Sequence, residues 1–122
     1  MAKHNELGKK GEAIAVDFLL EKGYKILETN WRYSRAEIDL IAMDGEILVF
    51  VETKTRSHRN HGDPTDAISP KKRMLMMDAA TRYMESIQHE WAIRFDIISV
   101  VADDRGAEII HHIDSFSPYE EQ

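Results

Sequence analysis

Two rhythms of apolar and polar positions run along this chain. Leu7, Gly11, Ile14 and Phe18 recur at i, i+4, i+7 and i+11, the spacing of one helical face. Asn5 is the expected cap of that helix and Gly23 its stop, so the first element should run from about 5 to 22. Residues 24–31 and 36–43 then read as strands, and 47–56 as a third strand rich in β-branched side chains. Between the last two, Met43-Asp44-Gly45-Glu46 carries the Asp-Gly pair favoured in two-residue hairpin loops. The stretch 57–69 (SHRNHGDPTDAIS) has loop composition, with Gly62 and Pro64 as breakers.

Ser69-Pro70 is a strong helix start, a cap followed by proline at the first helical position. Leu75, Ala79, Ala80, Tyr83, Met84 and Ile87 give the second helix its expected buried face. Residues 93–101 form a nearly continuous apolar strand of the kind covered on both faces. A turn at Asp103-Asp104-Arg105-Gly106 leads to a last strand at about 107–113. There is no repeat, low-complexity tract or linker. The order is α-β-β-β-α-β-β, and a helical crossover between the third and fourth strands makes those two parallel, with a right-handed connection. The expectation is one α/β domain over 1–122, a mixed sheet flanked by helices. Its core should span about 5–116, with a short polar tail at 117–122.

Composition narrows the class. The 122 residues are 43% hydrophobic and 31% charged, enough for a packed core and a solvated surface. The absence of cysteine excludes a disulfide scaffold, a cysteine zinc site and a cysteine nucleophile. The first residues, MAKHNELGKKGE, lack the apolar run of a signal peptide, and no stretch approaches the ~20 apolar residues of a bilayer span. A cytoplasmic protein without membrane association is expected. The net charge of −6 argues against nucleic-acid binding by bulk positive charge, but it is unevenly spread: residues 1–82 carry +1 and residues 83–122 carry −7. Basic residues cluster at Lys9-Lys10, at Arg32 with Arg35, at Arg56 with His58 and Arg59, and at Lys71-Lys72-Arg73. Charge alone leaves a local basic surface and ordinary solvated side chains equally open.

The unusual feature is charge inside apolar strands. Asp39 sits in Ala36-Glu37-Ile38-Asp39-Leu40-Ile41, and Glu52 and Lys54 sit in Phe50-Val51-Glu52-Thr53-Lys54. With Asp44-Gly45 as a two-residue loop, Glu37 is expected opposite Glu52, Asp39 opposite Phe50 and Arg35 opposite Lys54. Alternation then projects Glu37, Asp39, Glu52 and Lys54 from one face. Like charges facing each other destabilise a sheet, so this gathering calls for a cation. Hard oxygen donors select Mg²⁺ or Mn²⁺ over zinc. Asp39 and Glu52 are the expected ligands, with Glu37 beside them. The competing reading is a solvated hairpin face closed by salt bridges. Glu12 borders the stripe of the first helix and reaches either this site or Lys9.

Gly8-Lys9-Lys10-Gly11-Glu12, Glu37-Ile38-Asp39-Leu40-Ile41, Val51-Glu52-Thr53-Lys54-Thr55-Arg56 and Arg94-Phe95-Asp96-Ile97 together resemble the YraN family of small bacterial proteins. That family is similar to archaeal Holliday junction resolvases within the PD-(D/E)xK nuclease superfamily. The resemblance runs from about Asn5 to Phe116. It implies a restriction-endonuclease-like core, Asp39 and Glu52 as metal ligands, Lys54 as the catalytic lysine, and Glu12 as the helix carboxylate of resolvase-type members. Ile38 stands where the superfamily name has proline, and Thr53 where valine is more common; there the backbone carbonyl would serve the metal.

The expected activity is therefore Mg²⁺- or Mn²⁺-dependent hydrolysis of phosphodiester bonds in DNA, branched or junction DNA included. The alternative is a nucleic-acid binding or adaptor protein that keeps the fold without turnover. DNA is expected along Lys9, Lys10, Arg32, Arg35, Arg56, Arg59, Lys71, Lys72 and Arg73, with Lys72 touching a phosphate and the acidic C-terminal third turned away. A homodimer is expected, since one site cuts one strand, with a monomer that dimerises only on DNA as the alternative; Met74, Met76, Met77, Ile109, Ile110 and Ile113 are the candidate contacts. His58 and His61 lack a third ligand nearby, and His111 and His112 should point to opposite faces. Trp31 and Trp91 read as packing residues, and Arg94 with Asp96 as an ion pair on one strand face.

Overall fold

A computed structural model describes residues 2–56 and 68–116. The elements are α1 (Ala2–Glu21), β1 (Lys25–Tyr33), β2 (Ala36–Asp44), β3 (Ile47–Arg56), α2 (Pro70–Ile87), β4 (Ile93–Asp103) and β5 (Gly106–His112). The five strands form one sheet in chain order, with β3 and β4 parallel and every other neighbour pair antiparallel. This is an α/β fold in the expected order, consistent with a restriction-endonuclease-like core. Among the described residues no helix is long and apolar enough to cross a membrane.

Two apolar layers hold the sheet. On one face Ile38, Ile41, Leu48, Phe50, Phe95 and Ile97 pack under Met76, Ala79, Ala80 and Tyr83 of α2. On the other, Leu40, Ala42, Val49, Val51, Ile98 and Val100 pack under Ala15 and Leu19 of α1. Trp31 belongs to the α2 layer, edge-on to Tyr83 and stacked along Tyr33.

Four expectations need correction. The first helix begins at Ala2, so Asn5 lies inside it and does not cap it; no breaker precedes Asn5 to force a later start. Its fully buried line is Gly11, Ala15 and Leu19, with Ile14 and Phe18 alongside. In α2 the buried face turns to include Met76, while Ile87 is 42% exposed. Trp91 is largely exposed and touches the ring of His89, so it is no core residue.

The hairpin between β2 and β3 is also shifted. Asp44 pairs with Ile47 and Leu40 with Val51, so the loop is Gly45-Glu46 rather than Asp44-Gly45. Gly45 takes a φ of +62° at the first loop position, where a tight hairpin of the II′ kind needs glycine. The slip moves both strands by one residue, so the paired side chains, Leu40 to Asp44 and Ile47 to Val51, keep their faces. What changes is who faces whom: Phe50 pairs with Ile41 rather than with Asp39, and the ladder ends at Leu40↔Val51, before Asp39.

Alternation also breaks in β2. Ile38 and Leu40 are two residues apart yet pack in different layers, which places the irregularity at Asp39. Across the β1–β2 ladder, between the pairs Thr29↔Leu40 and Trp31↔Ile38, Asn30 has a φ of +51°. Irregular pairing of this sort re-aims a side chain.

At the hairpin end of the sheet a buried polar network ties the elements together. The carboxylate of Asp96 is fully buried and accepts from Arg94 Nε and Nη2 (both 2.9 Å), from His111 Nε2 (2.7 Å) and from the backbone N–H of Asp114 (2.9 Å). Arg94 also donates to Asp44 and to the Tyr24 hydroxyl, and Lys22 Nζ stands 2.8 Å from His111 Nδ1. Burial alone would push Asp96 up, but the donors from His111 and Arg94 outweigh it and hold its carboxyl below the usual range. The ion pair expected of Arg94 and Asp96 is present, and His111 and His112 pair with adjacent β4 residues and so lie on opposite faces.

Gly11 fixes how closely α1 approaches β3. A Cβ built there would lie 1.9 Å from Thr55 Oγ1 and 2.8 Å from two further Thr55 atoms, whereas one at Gly8 would meet nothing within 4 Å. Gly11→Ala must therefore lift the helix off the sheet and should cost about 1–3 kcal/mol. Gly8→Ala removes a flexible residue from a helix interior and should gain about 0.5–1 kcal/mol. Urea unfolding of both variants checks the pair; equal effects would mean that close contact at Gly11 does not set the docking distance.

Candidate functional site

A cavity of about 350 Å³ opens between the first turns of α2 and the ends of β2 and β3. Its walls include Glu37 and Asp39 from β2, Glu52 from β3, Ser69 before α2, and Lys71 and Lys72 from α2, with Arg35 at the β1–β2 turn. The helix begins here because the Ser69 side chain accepts from the Lys72 N–H at 3.1 Å and Pro70 opens the first turn.

Glu52 continues a strand whose preceding residues, Leu48 to Val51, are all fully buried, and its own side chain is only 4% exposed. A charge there needs partners. Among the described residues it has two: Lys72 Nζ at 2.5 Å and Lys54 Nζ at 3.2 Å, both on Oε2. Lys54, two residues along β3, shares the face of Glu52 by strand alternation. Lys72 reaches down from α2.

Asp39 is oriented differently. Beyond the last β2–β3 pair its Oδ2 accepts from the Thr53 N–H (2.9 Å) and from Thr53 Oγ1 (3.0 Å). Its carboxyl is pushed up to about 6, first by burial and then by the charge of Glu52, with Glu12 adding to the rise and the two Thr53 donors opposing it. Glu12 thus acts on Asp39 from the α1 side of the sheet, while Glu52 acts from the α2 side.

The structure brings Asp39, Glu52, Lys54, Glu37, Arg35, Lys71 and Lys72 to one place. Glu37 is also held by Arg32 at 3.3 Å, on the exposed rim. Lys9 and Lys10 lie on the exposed side of α1 and do not line the cavity. Arg73 turns its guanidinium over the Phe116 ring, and Arg56 ends β3. Arg59, His58 and His61 lie outside the described residues. Sequence reasoning missed the Thr53 side chain as a clamp on Asp39, because the contact forms beyond the last β2–β3 pair, where no ladder register predicts it. It also assigned Lys72 to phosphate without its bond to Glu52, which only the docking of α2 creates.

Among the described residues, no three Asp, Glu or His side chains stand close enough to hold a metal by themselves. Magnesium does not require such a cage: it is commonly held by one or two carboxylates, keeps several waters and takes substrate phosphate as a ligand. The donors present fit that pattern. Asp39 and Glu52 supply carboxylates, and the Thr53 carbonyl leaves the strand on the same side as the N–H that meets Asp39.

The raised pKa of Asp39 has a signed consequence for stability. The folded protein holds the Asp39 proton up to about pH 6, while the unfolded chain releases it near 3.8. Ionisation therefore opposes folding; the penalty is absent below about pH 4 and complete above about 6. Asp39→Asn should stabilise the metal-free protein at pH 7 by about 1–3 kcal/mol, and the gain should shrink as pH falls to 4. Urea midpoints of both proteins across that range test this; a loss of stability at pH 7 would show that Asp39 is a structural residue.

Comparison with known proteins agrees with the family resemblance. Residues 11–100 match the family described as "Uncharacterised protein family UPF0102". The chain is 48% identical over 116 residues to the UPF0102 protein FP2501 of Flavobacterium psychrophilum, covering 95% of this chain and 98% of that one. It is 45% identical over 116 residues to a UPF0102 protein of Christiangramia forsetii, with the same coverage. A UPF0102 protein of Bacteroides thetaiotaomicron is 42% identical over 118 residues, covering 97% and 98%. By these matches the chain belongs to the UPF0102, or YraN, family.

Proposed function

We propose that this protein is a metal-dependent nuclease that hydrolyses phosphodiester bonds in DNA, branched DNA included, at the Asp39–Glu52–Lys54 site. The observation that carries the reading is the pairing of two strand-borne carboxylates, one of them pushed up to about 6, with lysines on the second carboxylate. A structural network satisfies its charges from within; this one leaves Asp39 costly to ionise until a cation arrives. Bound Mg²⁺ or Mn²⁺ would polarise the scissile phosphate and acidify an attacking water. Asp39 and Glu52 would hold the cation, with Glu37 and Glu12 adding negative charge around it. Thr53 fixes the rotation of the Asp39 carboxylate. Lys54 orients the nucleophilic water or stabilises the charge that develops on the phosphate. Arg35, Lys71 and Lys72 offer donors along the cavity rim for the flanking phosphates, and the start of α2 adds the positive end of its dipole. Lys9, Lys10, Arg32, Arg56, Arg59 and Arg73 extend the proposed DNA path beyond the rim.

The decisive measurement is Mg²⁺- or Mn²⁺-dependent cleavage of duplex, single-stranded and four-way-junction DNA. Cleavage should fall at least ~100-fold in Asp39→Asn and in Lys54→Met. It should also decline with acid below about pH 6, as protons compete for Asp39. A second reading, a binding protein without turnover, draws on one observation: Glu52 is already neutralised by two lysines with no metal. Tight junction binding, with no cleavage in either cation, would overturn the nuclease and establish the binder.

Paired-strand cleavage needs two sites, so we place a second copy of the chain along β5. That strand is a sheet edge, and Ile110 and Ile113 near it are 44% and 52% exposed. Sedimentation equilibrium with and without junction DNA should detect the dimer. A monomer under both conditions would remove it.

A further inference from the structure

We propose that Lys72 is an exchangeable counterion: it neutralises Glu52 in the metal-free protein, and cation binding releases it to a substrate phosphate. The inference rests on the metal-site reading above and assigns Lys72 a role within it. Three observations carry it.

The first is crowding at a single atom. Both ammonium groups approach Glu52 Oε2, Lys72 at 2.5 Å and Lys54 at 3.2 Å, and a carboxylate oxygen offers about two lone pairs. A divalent ion that takes Oε2 must replace one lysine. The second is charge. Asp39 and Glu52, when ionised, are balanced by Lys54 and Lys72; a divalent ion added to that set leaves an excess of two positive charges beside a buried strand. Such an excess expels a cation or draws in an anion. One movement of Lys72 does both, since it leaves the carboxylate and meets the phosphate.

The third is freedom to move. Lys54 is 22% exposed and springs from the same strand as Glu52, so its reach is fixed by the sheet. Lys72 is 39% exposed and sits beside Lys71 on the first turn of α2, at the rim of the cavity. Its backbone N–H is held by Ser69, so the side chain can swing while the helix stays capped. Lys72 is therefore the lysine that leaves. Metal and DNA binding become coupled through it: each should tighten the other, because each removes the cost of displacing Lys72.

Mn²⁺ titration calorimetry without DNA tests the exchange in the wild type, Lys72→Met, Lys71→Met and Glu52→Gln. Lys72→Met should bind Mn²⁺ roughly tenfold tighter than wild type, the effect of losing one charge-assisted hydrogen bond. Lys71→Met, which removes an equal charge from the same rim, should stay within about twofold. Glu52→Gln should lose binding. Wild-type affinity in Lys72→Met, alongside loss in Glu52→Gln, would overturn the exchange and leave the metal site standing. Wild-type affinity in Glu52→Gln, or no binding by either wild type or Lys72→Met, would overturn the metal site itself. A second measurement needs no variant: the Nζ resonance of Lys72 in the wild type should move on Mg²⁺ addition toward that of a solvated lysine. A resonance that stays in place while the ion binds would overturn the exchange.

Discussion

A carboxylate in the middle of a core strand is the constraint on which the rest of this molecule depends. β3 is paired on both sides, and the residues just before Glu52 are sealed under both helices. Glu52 inherits that burial, and an uncompensated charge there would cost several kcal/mol. Its compensation comes from two elements. Lys54 arrives by strand alternation alone, but Lys72 requires α2 to begin directly above the carboxylate. The Ser69 cap and Pro70 fix that beginning, and the parallel crossover to β4 sets the helix across the sheet. One buried charge thus joins the start of α2, the central strand and the cavity between them.

Asp96 and Asp39 show how the same residue type serves opposite ends in one sheet. Asp96 is wholly buried, yet four donors from Arg94, His111 and Asp114 surround it and its carboxyl lies below the usual range. Its ionised form stabilises the fold. Among the described residues Asp39 has only the two Thr53 donors and faces two further carboxylates, so its ionised form opposes the fold. Burial does not separate a structural carboxylate from a reactive one; the balance of donors and like charges does. On that balance Asp96 belongs to the scaffold, and Asp39 is the carboxylate whose charge the fold leaves uncompensated, as the proposed cation site requires.

Much of this was legible in the sequence because it follows from period and punctuation. The seven elements, the parallel crossover and the cap at Ser69 all come from local patterns, and the opposite faces of His111 and His112 follow from strand alternation. The gathering of Glu37, Asp39 and Glu52 outlasts an error in the turn, but parity accounts for it only as far as Leu40. Beyond that the break in alternation at Asp39 decides where the β2 carboxylates stand. The error lay between two adjacent turn candidates: Asp44-Gly45 is the commoner pair, but glycine took the first loop position. What could not be read is tertiary. The bond from Thr53 to Asp39 depends on where β2 leaves the ladder. The reach of Lys72 depends on the docking of α2, and the tight seat of α1 on Gly11 meeting Thr55. Helix spacing alone also misjudged Ile87, which lies in the last turn of α2 beyond the apolar layer it was expected to join.

The acidic total of the chain looks hostile to a polyanion, but charge acts over short distances. At physiological salt an exposed charge is screened within about 8 Å. Glu85 lies in the last turn of α2, roughly 20 Å along the axis from Lys72, and Glu90 follows the end of that helix. Glu108 and Asp114 belong to β5 and the turn after it, two strands beyond β3 and so about 10 Å away across the sheet. Glu85, Glu90, Glu108 and Asp114 therefore act on the cavity only weakly, and the buried charge of Asp96 is met by Arg94 and His111. At the rim itself stand Arg35, Lys71 and Lys72, around a carboxylate pair that a divalent ion would neutralise. A site built this way is close to neutral without its cation and positive with it. On the proposed function, attraction for phosphate would then be conditional on the metal, which would keep an acidic protein off nucleic acid until its site is complete.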